Sequence, residues 1–483
     1  MTTRTVAIIG AGYSGTALAL NLLEKAGPAI RIILLERADA FGLGQAYGTA
    51  NPDHLLNVPA ARMSAFATQP NHFVDWLQTQ PGVPPGEFKP RKIYGAYIRD
   101  LLDQGCRSAA GRLQLVRGDV VEICKGESLT VTLADRRMIT ADIAVLALGN
   151  YQPFDVLPGE AARSPAYRGN PWHPDAIAGL DPDAPVLVVG TGLTMVDTVV
   201  TLLDAGHRGP IQALSRRGLA PQRHVPHSAA PLPPLPAYPA AMLGLLRCLK
   251  ADAAACVAAG GTWQDAMDRF RPSIQTAWQR AGLFDRTQFL RHLRPWWDIH
   301  RHRIAGPVAD RIDAARSSGQ LRITGGRIRA AADDAGGMVV SYAPRGGTGL
   351  RSFHAARVIN CTGPASDYTR IADPLVRALL AGGLVQPDPL RLGLQVTPDS
   401  ALVGANGPST TLFAMGPVTR GAFWEVTSVP DIRQQCDALS THIAALLHPA
   451  PASTANPADQ SSAGPIDFMR SNTRLRTDGS VMR

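Results

Sequence analysis

The stretch Thr5-Val6-Ala7-Ile8-Ile9-Gly10-Ala11-Gly12-Tyr13-Ser14-Gly15, followed about twenty residues later by Glu36, decides the fold. Residues 5–9 are β-branched or apolar and read as a buried strand, residues 13–25 carry a helical apolar period, and residues 31–36 form a second apolar strand. Between the first strand and the helix, Gly10 supplies a tight turn and Gly12 lets backbone amides approach a pyrophosphate. Gly15 permits close packing of helix on strand. The amides at the helix start, with Ser14 in its first turn, favour phosphate charge. Glu36 ends the second strand where it accepts hydrogen bonds from ribose hydroxyls, and Arg37 follows it as a further cofactor contact.

The same order recurs downstream. Residues 185–189 read as strand, 193–205 as helix and 211–215 as strand, around Gly190-Thr191-Gly192-Leu193-Thr194-Met195 and Asp197. Met195 stands where a third glycine is usual. Gly190, Gly192, Thr194 and Asp197 are the expected cofactor positions of this unit. Its second strand ends in Ser215-Arg216-Arg217 rather than in an acid. Guanidinium groups bind phosphate bidentately, so this ending favours the 2′-phosphate of NADPH over NADH, the alternative being a solvated arginine pair.

With 483 residues the chain exceeds one core and calls for two or three domains. The expected fold is α/β with two Rossmann-like dinucleotide-binding domains. A discontinuous FAD-binding domain covers residues 1–160 and 325–447, an inserted NAD(P)H-binding domain with a helical extension covers 161–324, and residues 448–483 form a disordered tail. A proline-rich stretch, 226–239, leads into the helical extension. No stretch is apolar enough to span a membrane, and the first apolar run flows into the glycine motif, so a cytoplasmic protein is expected. The six cysteines form no C-x-x-C pair, which argues against a disulfide reductase and a zinc site. Asp298 with His300 and His302, and His224 with His227, are histidine clusters without convincing ligand spacing, so no metal is expected. Net charge is +9, carried by 43 arginines against five lysines. That bias suits a small anionic ligand through the long-range field, and nucleic-acid binding is the alternative that no motif accompanies.

Five blocks, GLGQAYGTANPDHLLNVPAARMSAF (42–66), VLVVGTGLTMVDTVV (186–200), ALSRRG (213–218), HLRPWWDIHRHRIA (292–305) and LFAMGPVTRGAFWEV (412–426), resemble a family of bacterial FAD/NAD(P)-binding proteins. That family includes FAD-dependent urate hydroxylases and nitrosuccinate-forming L-aspartate N-monooxygenases. The resemblance runs over about residues 6–447. More distantly, Tyr167-Arg168-Gly169 with His173 is similar to the F-x-G-x-x-x-H signature of class B flavin monooxygenases, with tyrosine replacing phenylalanine.

The resemblance implies several further roles. The strand opened by Asp142 and closed by Gly149 and Pro153 would return the chain to FAD, and Cys361-Thr362-Gly363 resembles a second copy of it. Asn57, Arg62, Met63 and Ser64 would pass the flavin ring, while Gly416, Pro417 and Arg420 would close over it. Arg62, Arg420 and Asn57 are the catalytic candidates, the two arginines as cations for developing negative charge. The activity implied is an NAD(P)H-dependent FAD monooxygenase using O2 through a flavin hydroperoxide on a small anionic nitrogen compound. Urate hydroxylation is the leading expectation, L-aspartate or related amine N-hydroxylation the next, and a reductase with a protein acceptor the third. The arginine- and tryptophan-rich segment 286–303 would line a substrate entrance or pack the helical extension on the nicotinamide domain.

Overall fold

The structure, a computed structural model, describes residues 3–49, 51–226, 231–239 and 241–447. His227 and the tail from residue 448, expected to be disordered, lie outside the described residues.

The chain begins with the parallel strands β1 (Arg4–Ile9), β2 (Ile30–Glu36) and β3 (Leu113–Arg117). An antiparallel sheet of β4 (Val120–Lys125), β5 (Leu129–Leu133) and β6 (Met138–Ala141) follows, and β7 (Ile143–Leu146) returns beside β1. The middle of the chain lays down β8 (Tyr167–Arg168), β9 (Val186–Val189), β10 (Ile211–Ser215), β11 (Leu321–Asp334), β12 (Gly337–Pro344), β13 (Arg351–Ala355) and β14 (Arg357–Asn360). Finally β15 (Ala401–Gly404) and β16 (Gly407–Ala414) complete the first sheet, ordered β15-β16-β7-β1-β2-β3. The second sheet is ordered β13-β12-β11-β10-β9-β14-β8.

Alternation along β1 explains its burial on both faces. Val6 and Ile8 join a core built with the helices Tyr13–Lys25 and Val429–Leu447. Ala7 and Ile9 point the other way, into a core shared with β4, β5 and the helix Pro374–Ala381. The late helix thus packs on the sheet that opens the chain.

One boundary differs from expectation. Residues 325–360 belong to the second sheet, because β11 runs on past residue 325 to pair antiparallel with β12, and β14 slots in parallel between β9 and β8. The inserted domain therefore extends to about residue 360. The sequence of β14, a short apolar strand before a glycine turn, reads the same whichever sheet receives it. Among the described residues no helix is long and apolar enough to cross a membrane.

Candidate functional site

Strands β1, β7 and β16 are parallel neighbours, so the loops after them gather at one edge of the first sheet. Gly10 turns at φ +102°, and a Cβ there would lie 2.4 Å from the Ala147 carbonyl oxygen. A Cβ on Gly15 would lie 1.9 Å from the Gly10 carbonyl oxygen, so strand, turn and helix touch through backbone alone. At Gly12 a Cβ would meet only the backbone of Gly44, its Cα at 3.5 Å, and at Gly149, at φ +66°, it would meet nothing within 4 Å. The carboxylate of Glu36 reaches this mouth, its Oε2 accepting from the Ala11 amide (2.8 Å) and its Oε1 from the Ala38 amide (3.0 Å). Gly416 closes the other side: its Cβ would stand 2.6 Å from Ser14 Oγ, and its amide donates to Gln435 Oε1 at 2.8 Å. Gly10, Gly12, Ser14, Gly15, Glu36, Gly149, Gly416 and Pro417 thus surround one glycine-lined mouth at a helix N-terminus, which fits a dinucleotide pyrophosphate.

Two expected contacts stand differently. Asp142 is a correction: it sits at the opposite edge of the sheet, where its Oδ2 accepts from the Thr5 amide (2.7 Å) and its Oδ1 pairs with Arg4 (2.6 Å). It precedes β7, and residues at the start of a parallel strand lie a strand's length from the cofactor edge. Arg37 is exposed at the correct edge, with its guanidinium 3.2 Å from Asp373.

In the loop that carries the catalytic candidates, Met63 and Ser64 are buried. Met63 packs in the core, and the Ser64 hydroxyl donates to the Gln69 carbonyl at 2.6 Å. Their side chains therefore hold the loop. Arg433, on the late helix, donates to the carbonyls of Arg62 (3.4 Å) and Ser64 (3.3 Å). One turn away, the Cys436 thiol meets the Ser14 carbonyl at 3.8 Å, which ties the loop to the glycine helix. The Asn57 carbonyl accepts from His224 Nε2 at 3.0 Å, linking the loop to the second domain.

The second sheet repeats the first. Gly190 turns at φ +111°, its Cβ position 2.3 Å from the Cys361 carbonyl oxygen, as Gly10 stands to Ala147. Gly192 is open, and Gly363, at φ +90°, holds the place that Gly149 holds in the first domain. Gly363 is accordingly reassigned from FAD to the second dinucleotide site. Met195 is fully buried in the core of this domain, where a thioether fills space that the first unit closes with glycine. Thr191 Oγ1 meets Ser215 Oγ at 2.8 Å, and Ser215 Oγ accepts from the Gly218 amide at 3.0 Å. Arg216 is exposed, whereas Arg217 donates to the carbonyls of His292 (3.1 Å) and Arg291 (3.5 Å). Thr194 is half-buried in the first helical turn.

Asp197 is a further correction. Its carboxylate makes a bidentate ion pair with Arg91 of the first domain, at 2.9 and 3.0 Å, and so joins domains rather than holding cofactor. His54 Nε2 lies beside it, 3.1 Å from the Asp197 carbonyl and 2.9 Å from Thr201 Oγ1. Arg91 and His54 were missed because nothing in a single sequence marks a cross-domain pair. The Tyr167–His173 stretch lies at the edge of the second sheet, where His173 caps a short turn.

Arg420 is largely buried, with its guanidinium 4.4 Å from the Trp424 ring and its Nε without a partner. Burial, reinforced by Arg294, pushes its pKa down to about 10, against the opposing pull of Asp298 and Glu425. No carboxylate lies within ion-pair distance of Arg420 or Arg62 among the described residues. The segment 286–303 packs on the late part of the first domain: Trp297 Nε1 donates to Glu425 Oε1 at 3.0 Å and Arg301 pairs with Glu425 at 2.9 Å, and just upstream of the segment Trp278 stacks on Trp424 at 4.7 Å. The segment also meets the second domain, where Arg217 donates to the carbonyls of His292 and Arg291 and the Gln222 amide to that of Ile299, so it lies against both. Among the described residues no group of three or more His, Cys, Asp or Glu is placed to hold a metal ion.

Residues 7–151 match a family described as FAD-NAD(P)-binding. No curated protein matches the chain by sequence. Solved structures share its fold. An ornithine N-hydroxylase from Kutzneria, with reduced FAD, NADP+ and L-ornithine in its description, superposes with TM-score 0.61 at 13% identity, covering 92% of this chain and 99% of that one. The L-lysine 6-monooxygenase of Pseudomonas syringae gives 0.60 at 16% identity over 92% and 99%. Lactococcus lactis thioredoxin reductase gives 0.51 at 12% over 92% and 99%. At these identities the likeness is one of fold.

Proposed function

We propose that this chain is an FAD-dependent NAD(P)H monooxygenase that oxygenates the nitrogen of a small anionic amine. The observation that carries the reading is the doubled glycine turn, Gly10 against Ala147 and Gly190 against Cys361, in one chain with an unpaired, buried Arg420 four residues from Gly416. The first turn fits FAD, with Glu36 for its ribose and the start of the helix Tyr13–Lys25 for its pyrophosphate. The second fits NAD(P)H, with Arg216 free for a 2′-phosphate. When bound, FAD supplies hydride acceptance and oxygen activation.

The chain's own residues hold charge and exclude water. Arg420 is buried under Trp424, which itself stacks on Trp278, so its charge acts in a medium of low dielectric, where it opposes developing negative charge more strongly than in water. The Cys361 thiol, pushed up to about 12 by burial, and the Cys436 thiol, raised by the same cause, are poor thiolates, which disfavours dithiol chemistry. Amine oxygenation is favoured over urate hydroxylation because two of the structures sharing the fold act on the amino acids ornithine and lysine.

Purified protein is tested with NADPH and isotopically labelled O2 against L-ornithine, L-lysine, L-aspartate and urate, with product mass in each case. Label in an N-hydroxylated product is the expected result. Label in a urate product moves the reading to purine hydroxylation, and reduction of an added electron acceptor with no label incorporated anywhere sinks it. Arg420→Ala should keep FAD and NADPH oxidation but release hydrogen peroxide in place of product. Loss of one such stabiliser costs about 3–4 kcal/mol.

A further inference from the structure

A cavity of about 910 Å³ lies between the first domain and the second, and none of the glycine-turn residues lines it. Its walls come from residues 76–96 of the first domain and from residues 224–226, 268 and 306–307 of the second. They are largely apolar: Trp76, Val83, Phe88 and Ile93 line it together with several prolines. Arg62 and His224 line it too.

Among the polar residues of this wall, Arg62 and His224 have unspent capacity. Arg62 has no carboxylate partner among the described residues. Of the wall's acids, Asp53 pairs with Arg311 at 2.9 Å and Asp268 with Arg303, while Glu87 is exposed and makes no ion pair with Arg62. For His224 the argument is one of tautomer. A carbonyl oxygen only accepts, so the Nε2 that meets the Asn57 carbonyl must carry the proton. Burial, with Arg303 nearby, keeps the ring neutral by pushing its pKa down to about 4. Its Nδ1 is therefore a bare acceptor with no partner among the described residues, and Phe88 packs beside the ring, centroids 4.9 Å apart. The volume falls at the upper end of the ~300–1,000 Å³ of ordinary ligand pockets, so a molecule no larger than a free amino acid would leave much of it to water.

We propose that this cavity is the substrate pocket and selects a nitrogenous anion with an aromatic or extended apolar body. Arg62 takes the anionic group, His224 Nδ1 accepts from the ligand's N–H, and Trp76 and Phe88 pack its body. The inference rests on the monooxygenase reading for the word substrate, and on the cavity alone for the binding.

Anthranilate is the probe, with benzoate lacking the N–H donor and aniline lacking the anion. Binding is read by calorimetry on FAD-loaded protein without NADPH. Anthranilate should bind about three- to tenfold tighter than benzoate and about tenfold or more tighter than aniline. His224→Phe should erase the first gap and Arg62→Gln the second. Val83→Trp, from a half-buried wall position, should block all three ligands and covers the case in which a polar substitution fails to fold. Equal binding of the three by the wild-type protein, or gaps that survive the substitutions, overturns the proposal. A protein that binds in this pattern but oxygenates nothing keeps the pocket and loses the enzyme. One that oxygenates amines without the pattern does the reverse.

Discussion

Replacing Arg91 by alanine isolates what the cross-domain ion pair does. The Asp197 side chain is 11% exposed and Arg91 15%, and two charge-assisted hydrogen bonds of 2.9 and 3.0 Å join them. Arg91→Ala leaves a nearly buried carboxylate without its cation. Breaking a fully buried pair costs about 3–5 kcal/mol, and the residual exposure here lets water recover some of that, so a loss of about 2–4 kcal/mol is expected. At roughly 2–4 °C per kcal/mol for domains of 150–250 residues, the melting temperature should fall by roughly 4–16 °C. The double variant Arg91→Met with Asp197→Leu removes both charges and should regain most of the loss, because apolar replacement of a buried pair is often neutral. Thermal unfolding of wild type, both single variants and the double variant makes the cycle. Asp197 also lies in the first turns of the helix that opens at Gly192, so the NADPH Michaelis constant should rise in Arg91→Ala while FAD content stays the same. A single-variant loss below about 1 kcal/mol, or a double variant no better than the singles, would refute the reasoning.

Gly12→Val should fold and yet purify without FAD, because its Cβ meets only Gly44 while its branched methyls enter the pyrophosphate space; full flavin occupancy in the folded variant would remove the first site. Arg216→Ala should raise the NADPH Michaelis constant about tenfold with little change for NADH, whereas Arg217→Ala, which loses bonds to the 291–292 carbonyls, should chiefly lower stability. If instead Arg217→Ala alone alters the NADPH-to-NADH ratio, the roles are reversed. His224 is held neutral, so the unfolded chain binds its proton more readily than the native one between about pH 4 and pH 6.5. Stability from this group is present above pH 6.5 and lost as pH falls toward 4, by up to about 3 kcal/mol. His224→Phe should flatten that acid limb in urea titrations, and an unchanged slope would show that the ring is not desolvated.

Both dinucleotide units were legible because their signals are local. Gly10, Gly15 and Gly190 sit where a Cβ would strike a backbone oxygen, and such a demand leaves a glycine at fixed spacing from a strand. The grouping of Gly416 with Ser14 came only from resemblance, since 402 residues separate two atoms that nearly touch. Sequence misled where one local pattern serves two contexts. Asp142 and Gly149 bracket one strand, yet only its C-terminal end faces the cofactor edge, and Gly363 ends a strand that reads like β7 but pairs with β9. Arg91, His54 and Gln435 were invisible, and His224 was noticed only as half of a histidine pair, because their roles are defined by partners in distant segments: Asp197 for the first two, Gly416 for Gln435 and Asn57 for His224.

The helices between residues 242 and 301 branch from the second domain and fasten to residues 421–431 of the first, through Trp297 and Arg301 on Glu425 and through Arg271 on Asp431. The Arg91–Asp197 pair is a separate fastening, made from different stretches of chain. A hinge has one pivot about which everything else is free to swing. A frame pinned at two unrelated points can turn only about the line through both, so every other swing strains one pin or the other. Loosening one fastening, as Arg91→Ala does, therefore leaves the contacts at Glu425 and Asp431 to keep the two domains together.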